Sequence, residues 1–145
     1  MKVVIQRVKQ AKVEIENKIY SEIGIGLLVL VGFSNEDNKE KIEWMVNKIV
    51  GLRIFSDDND KMNLSLKDIN GEILIVSNFT LYGELNKGYR PSFSDAANPE
   101  IAIPLYDYFV KSISNFGIPI KTGIFGAMMD IHLINDGPVT IILEK

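Results

Sequence analysis

The chain has 145 residues, 46% hydrophobic and 24% charged, the size and make-up of one ordinary globular domain and not of a disordered or fibrous protein. A fold of this length buries about 70% of the surface its unfolded chain exposes, enough for a core of its own. Sixteen basic against 19 acidic residues give a net charge of −3 and an isoelectric point near 5.2, which disfavours a protein that wraps a long nucleic-acid backbone but allows one that holds only the tip of an RNA.

Residues 3–16 alternate apolar and polar, most cleanly in Ala11-Lys12-Val13-Glu14-Ile15-Glu16, the pattern of a half-buried, antiparallel strand. Asn17-Lys18 is a turn candidate. Residues 25–33 are apolar throughout and read as a strand covered on both faces. The period then changes: Ile42, Met45, Val46, Ile49 and Val50 recur at helical spacing behind a capping Asn38, with Gly51 at the end, predicting a helix over about 38–50. Residues 52–55 predict a short strand and residues 56–63 a polar turn. Asn70-Gly71 turns the chain into an apolar strand over 72–76.

From Tyr82 to Asn98 the pattern breaks up around Gly83, Gly88 and Pro91, and a loop of that length in a compact domain is usually functional or mobile. A second helix follows on the stripe Ala102, Leu105, Tyr106, Phe109, Val110, Ile113 and Phe116, stopped by Gly117. Pro104 is expected at its first regular turn, with residues 98–103 only loosely helical. Two strands near 127–134 and 139–144, joined by Asn135-Asp136-Gly137-Pro138, complete the chain. The order predicts a single α/β (α+β-like) domain: a mixed, largely antiparallel, barrel-like sheet with two main helices packed on it.

The chemistry-bearing residues are few. No cysteine is present, which removes thiolate metal sites and cysteine nucleophiles and fits a cytoplasmic location. No apolar run reaches the ~20 residues of a membrane span, and no signal peptide is evident. The only histidine, His132, lies on an alternating strand and reads as structural or exposed. Asp57, Asp58 and Asp60 lack the glycine and the terminal glutamate of a calcium loop and read as a solvated turn. No metal site is expected.

Two segments place polar residues at the ends of apolar strands. Ser77-Asn78-Phe79-Thr80-Leu81 follows the buried strand at 72–76, where backbone amides can face a substrate oxyanion; the plainer alternative is a strand end capped by its own serine and threonine. Thr80 has no base beside it in sequence, which a hydroxyl nucleophile needs. The other segment, Asn135-Asp136-Gly137-Pro138-Val139-Thr140, reads as a hairpin corner, and its Gly-Pro bond is one that adopts cis at low cost.

At these segments the sequence resembles the D-aminoacyl-tRNA deacylase family. The matching blocks run in order: residues 1–8, Arg53-Ile54-Phe55, Lys61 to Ser65, Ser77 to Leu81, Lys87 to Phe93 (KGYRPSF), Gly123 to Ala127 (GIFGA) and Asn135 to Thr140 (NDGPVT). The family pattern has glutamine where this chain has Asn78, one methylene shorter. The resemblance implies a cofactor-free ester hydrolase, without metal, that removes D-amino acids and glycine from tRNA. It implies a homodimer with the active site at the subunit interface, where a Gly–cis-Pro loop formed by Gly137 and Pro138, held by Arg7, faces the pocket of the other subunit. Ser77, Asn78, Phe79 and Thr80 would line that pocket, Phe125, Ala127 and Met129 would lie near the terminal adenosine, and Lys87 and Arg90 would meet phosphates. The tRNA 2′-hydroxyl would assist water attack, with Thr80 secondary. Two other classes remain open to the residues alone: a non-catalytic module for RNA ends and a hydrolase of small acyl esters.

Overall fold

The structure, a computed structural model, describes residues 1–86 and 88–145. Among these, eight strands and two α-helices follow in the order β1 (Lys2–Ile15), β2 (Lys18–Ile23), β3 (Gly26–Gly32), α1 (Lys39–Gly51), β4 (Arg53–Ser56), β5 (Met62–Ser65), β6 (Glu72–Ser77), α2 (Pro99–Ser114), β7 (Ile120–Thr122) and β8 (Asp130–Glu144). A single 3-10 turn, Phe79–Tyr82, follows β6.

β1 organises the sheet. Its first half pairs antiparallel with β3, its second half with β2, and β8 runs antiparallel along almost its whole length. β6 lies parallel to β3, and β7 parallel to β6. The sheet curls until its far strands touch: the Ser21 hydroxyl on β2 donates to the Thr122 carbonyl on β7 at 2.8 Å. The result is the expected mixed, nearly closed barrel in one domain, with β4 and β5 forming a separate hairpin.

Strand alternation builds two apolar clusters on the two faces of this sheet. Val3 and Ile5 of β1, Leu27, Val29 and Val31 of β3, and Ile73 and Ile75 of β6 pack beneath the helices, meeting Ile42, Met45 and Ile49 of α1 and Phe109 and Ile113 of α2. Leu28, Leu74 and Val76 point the other way and join Val8, Ala11 and Val13. β3 is therefore covered on both sides, as its unbroken apolar run predicts.

The helices begin at asparagine caps. Asn38 Oδ1 accepts the Lys41 N–H at 3.0 Å, and Asn98 Oδ1 accepts the Ile101 N–H at 3.1 Å. The second cap corrects the sequence reading: α2 is regular from Pro99, which occupies its first turn, and Pro104 lies inside the helix. Pro104 and Glu100 are exposed, so the carbonyl that loses its bond to the proline is open to solvent and the helix continues.

The chain end departs further from expectation. Residues 127–134 and 139–144 are not two strands around a corner, because β8 runs unbroken from Asp130 to Glu144. Its pairing to β1 passes from Thr140–Gln6 directly to Asn135–Val8. Residues 136–139 thus bulge out opposite a single residue, Arg7. The turn expected over 56–63 is also shorter, since Met62 and Asn63 already belong to β5. No helix of the described residues is long and apolar enough to cross a membrane.

Candidate active site

A cleft of about 870 Å³ opens at the carboxyl ends of β3 and β6. Its floor is the second face of the sheet, through Leu28, Leu30, Val76, Ile131 and Leu133, and its rim is built from the segments after β6 and before β8. Parallel strands commonly leave a crevice at their carboxyl ends, because the connecting chain turns away there.

β6 delivers the first group of residues. Asn78 still pairs with β3, its N–H donating to the Val31 carbonyl at 2.7 Å. The chain then bends into the 3-10 turn, capped by the Asn78 side chain, which accepts the Thr80 N–H at 3.1 Å and the Thr80 hydroxyl at 2.5 Å. Ser77, Asn78, Phe79 and Thr80 all line the cleft. Phe79 meets Phe93 edge-on, with ring centroids 5.1 Å apart.

The opposite rim comes from residues 124–129. Phe125, Ala127 and Met129 line the cleft. Phe125 packs edge-on against Tyr106, centroids 5.6 Å apart, and the buried Tyr106 hydroxyl donates to the Ile75 carbonyl at 3.2 Å. Burial raises the pKa of that phenol, so it remains a neutral donor. A Cβ on Gly123 would stand 2.6 Å from Met129 Sδ. Only glycine lets the thioether cross there.

Among the described residues no lining side chain is charged; the polar ones are Gln6, Ser77, Asn78 and Thr80. Sequence reasoning did not single out Gln6, although its place beside Arg7 on an alternating strand sends the two side chains to opposite faces. Phe93, from KGYRPSF, also lines the cleft.

The other expected site residues lie elsewhere. Gly137 and Pro138 are exposed in the β8 bulge, joined by a cis peptide bond, and neither lines the cleft. Arg7 anchors that bulge: Nε meets the Asp136 carbonyl at 3.2 Å and the Asp136 carboxylate at 3.0 Å, and Nη1 donates to the buried Ile54 carbonyl at 2.6 Å. Asn135 closes the base of the bulge, accepting the Val139 N–H at 2.9 Å and donating to the Val139 carbonyl at 3.2 Å. Arg90 is exposed and outside the cleft. Lys87 lies outside the described residues. His132 is half-exposed and bonds Glu14 at 2.9 Å, in keeping with the structural reading.

A curled sheet carrying two helices on one face and a largely apolar cleft at its carboxyl edge define a small, single-domain α+β protein with one ligand-sized site. The family model described as D-Tyr-tRNA(Tyr) deacylase matches residues 4–144. The D-aminoacyl-tRNA deacylase of Thermosipho africanus is 57% identical over the whole chain and 97% of its own length; that of Flavobacterium psychrophilum is 58% identical with the same coverage. A solved structure titled "c-Myc DNA Unwinding Element Binding Protein" superposes with a TM-score of 0.94 at 43% identity, covering 100% of this chain and 99% of that one. A probable eukaryotic D-amino acid tRNA deacylase shares the fold at a TM-score of 0.81 and 21% identity, covering 98% and 97%. The chain belongs to the D-Tyr-tRNA(Tyr) deacylase family, hydrolases that act on aminoacyl-tRNA.

Proposed function

We propose that the protein hydrolyses the ester of D-aminoacyl-tRNA, and of glycine mischarged on tRNA, and spares L-aminoacyl groups. In this reading it works in the cytoplasm as a homodimer, the Gly137–Pro138 bulge of one subunit facing the cleft of the other. One observation carries it: Ser77 to Thr80 and Phe125, Ala127 and Met129 gather in one cleft, while Gly137 and Pro138 stand exposed on another edge of the same chain. A second copy supplies the missing wall.

An aminoacyl ester is already activated, so positioning and oxyanion stabilisation contribute more than a strong nucleophile. The cleft suits that division. Its apolar walls accept the terminal adenosine and the amino-acid side chain, and the Phe79 N–H, the first of the 3-10 turn, has no partner within the turn and can face the ester oxygen. No carboxylate, imidazole or amine lines the cleft among the described residues, so the terminal 2′-hydroxyl of the substrate is the group left to assist water.

Chirality is then a matter of exclusion. Backbone atoms of Gly137 and Pro138 would stand where an L side chain projects, and the resulting clash rejects it. Glycine carries no side chain and passes. Arg90, with Lys87, would meet phosphates near the acceptor end, positioning without reading sequence.

The test is release of amino acid from matched D- and L-tyrosyl-tRNA at one enzyme concentration. Loss of D-tyrosine with L-tyrosyl-tRNA intact is expected. Equal rates would mark a general esterase, and binding without release would mark a module for RNA ends.

A further inference from the structure

Between the 3-10 turn and α2 the chain forms a hairpin whose tip lies outside the cleft. Its arms join at an isolated antiparallel bridge, where Glu84 and Ser92 exchange backbone hydrogen bonds of 2.8 and 2.9 Å. The root is tied to the cleft rim on both sides. The Gly83 N–H donates to the Thr80 carbonyl at 3.0 Å, and Phe93 packs edge-on against Phe79 with ring centroids 5.1 Å apart. A Cβ on Gly83 would stand 3.2 Å from Phe93 Cε1 and 3.7 Å from Pro91 Cβ, so the arms close tightly there. The tip has the opposite character. Gly88 turns the chain at φ +81°, and beyond it the Tyr89 ring is fully exposed, with Arg90 exposed at its side. Glu84 turns its carboxylate back on Asn86, accepting the backbone N–H at 2.6 Å and the side-chain amide at 2.7 Å. Arg90 makes no ion pair among the described residues.

Building on the deacylase reading above, we propose that Tyr89 is a stacking platform for an unpaired base of the tRNA 3′ end, just before the terminal adenosine, with Arg90 on the adjoining phosphate. A bare ring beside a cation is the surface that single-stranded RNA uses: a base covers the ring and the guanidinium meets the backbone. The reach agrees. Tyr89 stands three residues from the bridge at Ser92, at most about 10 Å, and a stacked strand advances about 3.4 Å per nucleotide. A strand whose last nucleotide sits in the cleft therefore passes the tip within a few nucleotides. The charge of Arg90 favours a phosphate strand over an apolar protein surface, where a buried guanidinium would need a partner of its own. The tight root and Pro91, which fixes its own φ, order the platform before the RNA arrives and lower the cost of binding. Such a grip accepts any base, since every base offers a π-face.

The experiment has a binding arm and a turnover arm. Affinity for uncharged tRNA, read by fluorescence anisotropy at one salt concentration, should weaken about tenfold in Tyr89→Ala, the loss of one base–aromatic stack. Tyr89→Trp should keep the wild-type affinity, and Tyr89→Leu, apolar without a π-face, should lose it. An abasic nucleotide at the stacked position should weaken wild-type binding as much and cost Tyr89→Ala nothing further. In turnover, kcat/KM for D-tyrosyl-tRNA is divided by that for D-tyrosyl-adenosine, which ends within the cleft. That ratio should fall by the same factor in Tyr89→Ala, and because both rates come from one preparation an unfolded fraction cancels. Equal tRNA affinity of wild type and Tyr89→Ala would overturn the platform, as would an abasic effect that adds fully to the mutation at every unpaired position. A Tyr89→Ala chain that sediments as a different oligomer and slows on both esters alike would also overturn it and give the ring to a second copy. Binding with the expected Tyr89 dependence but release from neither ester is a separate outcome: the platform stands and the deacylase reading falls.

Discussion

The Arg7 guanidinium and the Asp136 carboxylate meet at 3.0 Å where β8 bulges away from β1. Four residues of β8 stand there opposite one residue of β1, and the Arg7 side chain supplies the hydrogen bonds that the missing ladder would have made. The same side chain reaches the buried Ile54 carbonyl on β4 at 2.6 Å, so the bulge, the sheet and the β4–β5 hairpin share one anchor.

Removing that anchor should be costly. Arg7 is 8% exposed, and Arg7→Ala strands both a half-buried carboxylate and a buried carbonyl, a loss of about 3 kcal/mol in chemical denaturation. Arg7→Lys reaches one partner at a time and should recover only part of this.

Gly137 has φ +121°, and a Cβ there would lie 2.8 Å from Val139 Cγ2 and 3.0 Å from Arg7 Nη2. Gly137→Ala should therefore destabilise by about 1–3 kcal/mol and shift the bulge. Thermal melts give the first effect. A parallel assay on D-tyrosyl-tRNA should show activity falling by more than the lost stability accounts for.

Mixing two inactive enzymes tests the shared site directly. Ala127→Trp fills the cleft and Gly137→Ala deforms the bulge, so each homodimer should be inactive. Exchange of subunits creates hybrids with one intact composite site, restoring about a quarter of wild-type activity in an equal mixture. No recovery after verified exchange would place the whole site within one chain.

Thr80→Ala should retain measurable deacylation, because no base activates the hydroxyl and its proton already goes to Asn78. Substrate ending in 2′-deoxyadenosine should lose far more. Single-turnover release from the two substrate–enzyme pairs orders the effects, and an acyl adduct on Thr80 in the mass spectrum would reverse the order.

Acid should weaken the β4–β5 side. The Asn63 side chain, then the Lys61 and Asn59 amides, hold the Asp57 carboxyl below its usual pKa, and the Ser65 hydroxyl and amide do the same for Asp68. A lowered native pKa contributes stability that is complete above the unfolded value, about 3.9, and is lost as pH falls through the native one. The melting temperatures of wild type and Asp57→Ala should differ most near pH 7 and draw together as the pH falls through the lowered native pKa. A gap that stays constant through the whole acid range would show that the carboxylate charge is irrelevant.

Local pattern alone determined much of this protein. Period-two alternation marked β1, the unbroken apolar run marked β3, and helical spacing behind Asn38 marked α1, because these signals depend on neighbours a few residues away. Ser77 to Thr80 were visible as polar residues closing a buried strand. The short strands β2 and β7 left no distinct pattern of their own. Pro104 misled for a physical reason: the carbonyl it deprives lies on the exposed side of the helix, where water takes up the lost bond, and that exposure depends on how the helix packs. Asn135 to Pro138 misled in the same way, since turn residues mark a corner or a bulge equally well. What made it a bulge is Arg7, 129 residues away in sequence, whose guanidinium fills the gap in the ladder. Tertiary structure alone decided that Phe125, Ala127 and Met129 meet Ser77 to Thr80, that Gln6 joins them, and that Gly137 faces away, because each depends on how far the sheet curls before its last strands touch.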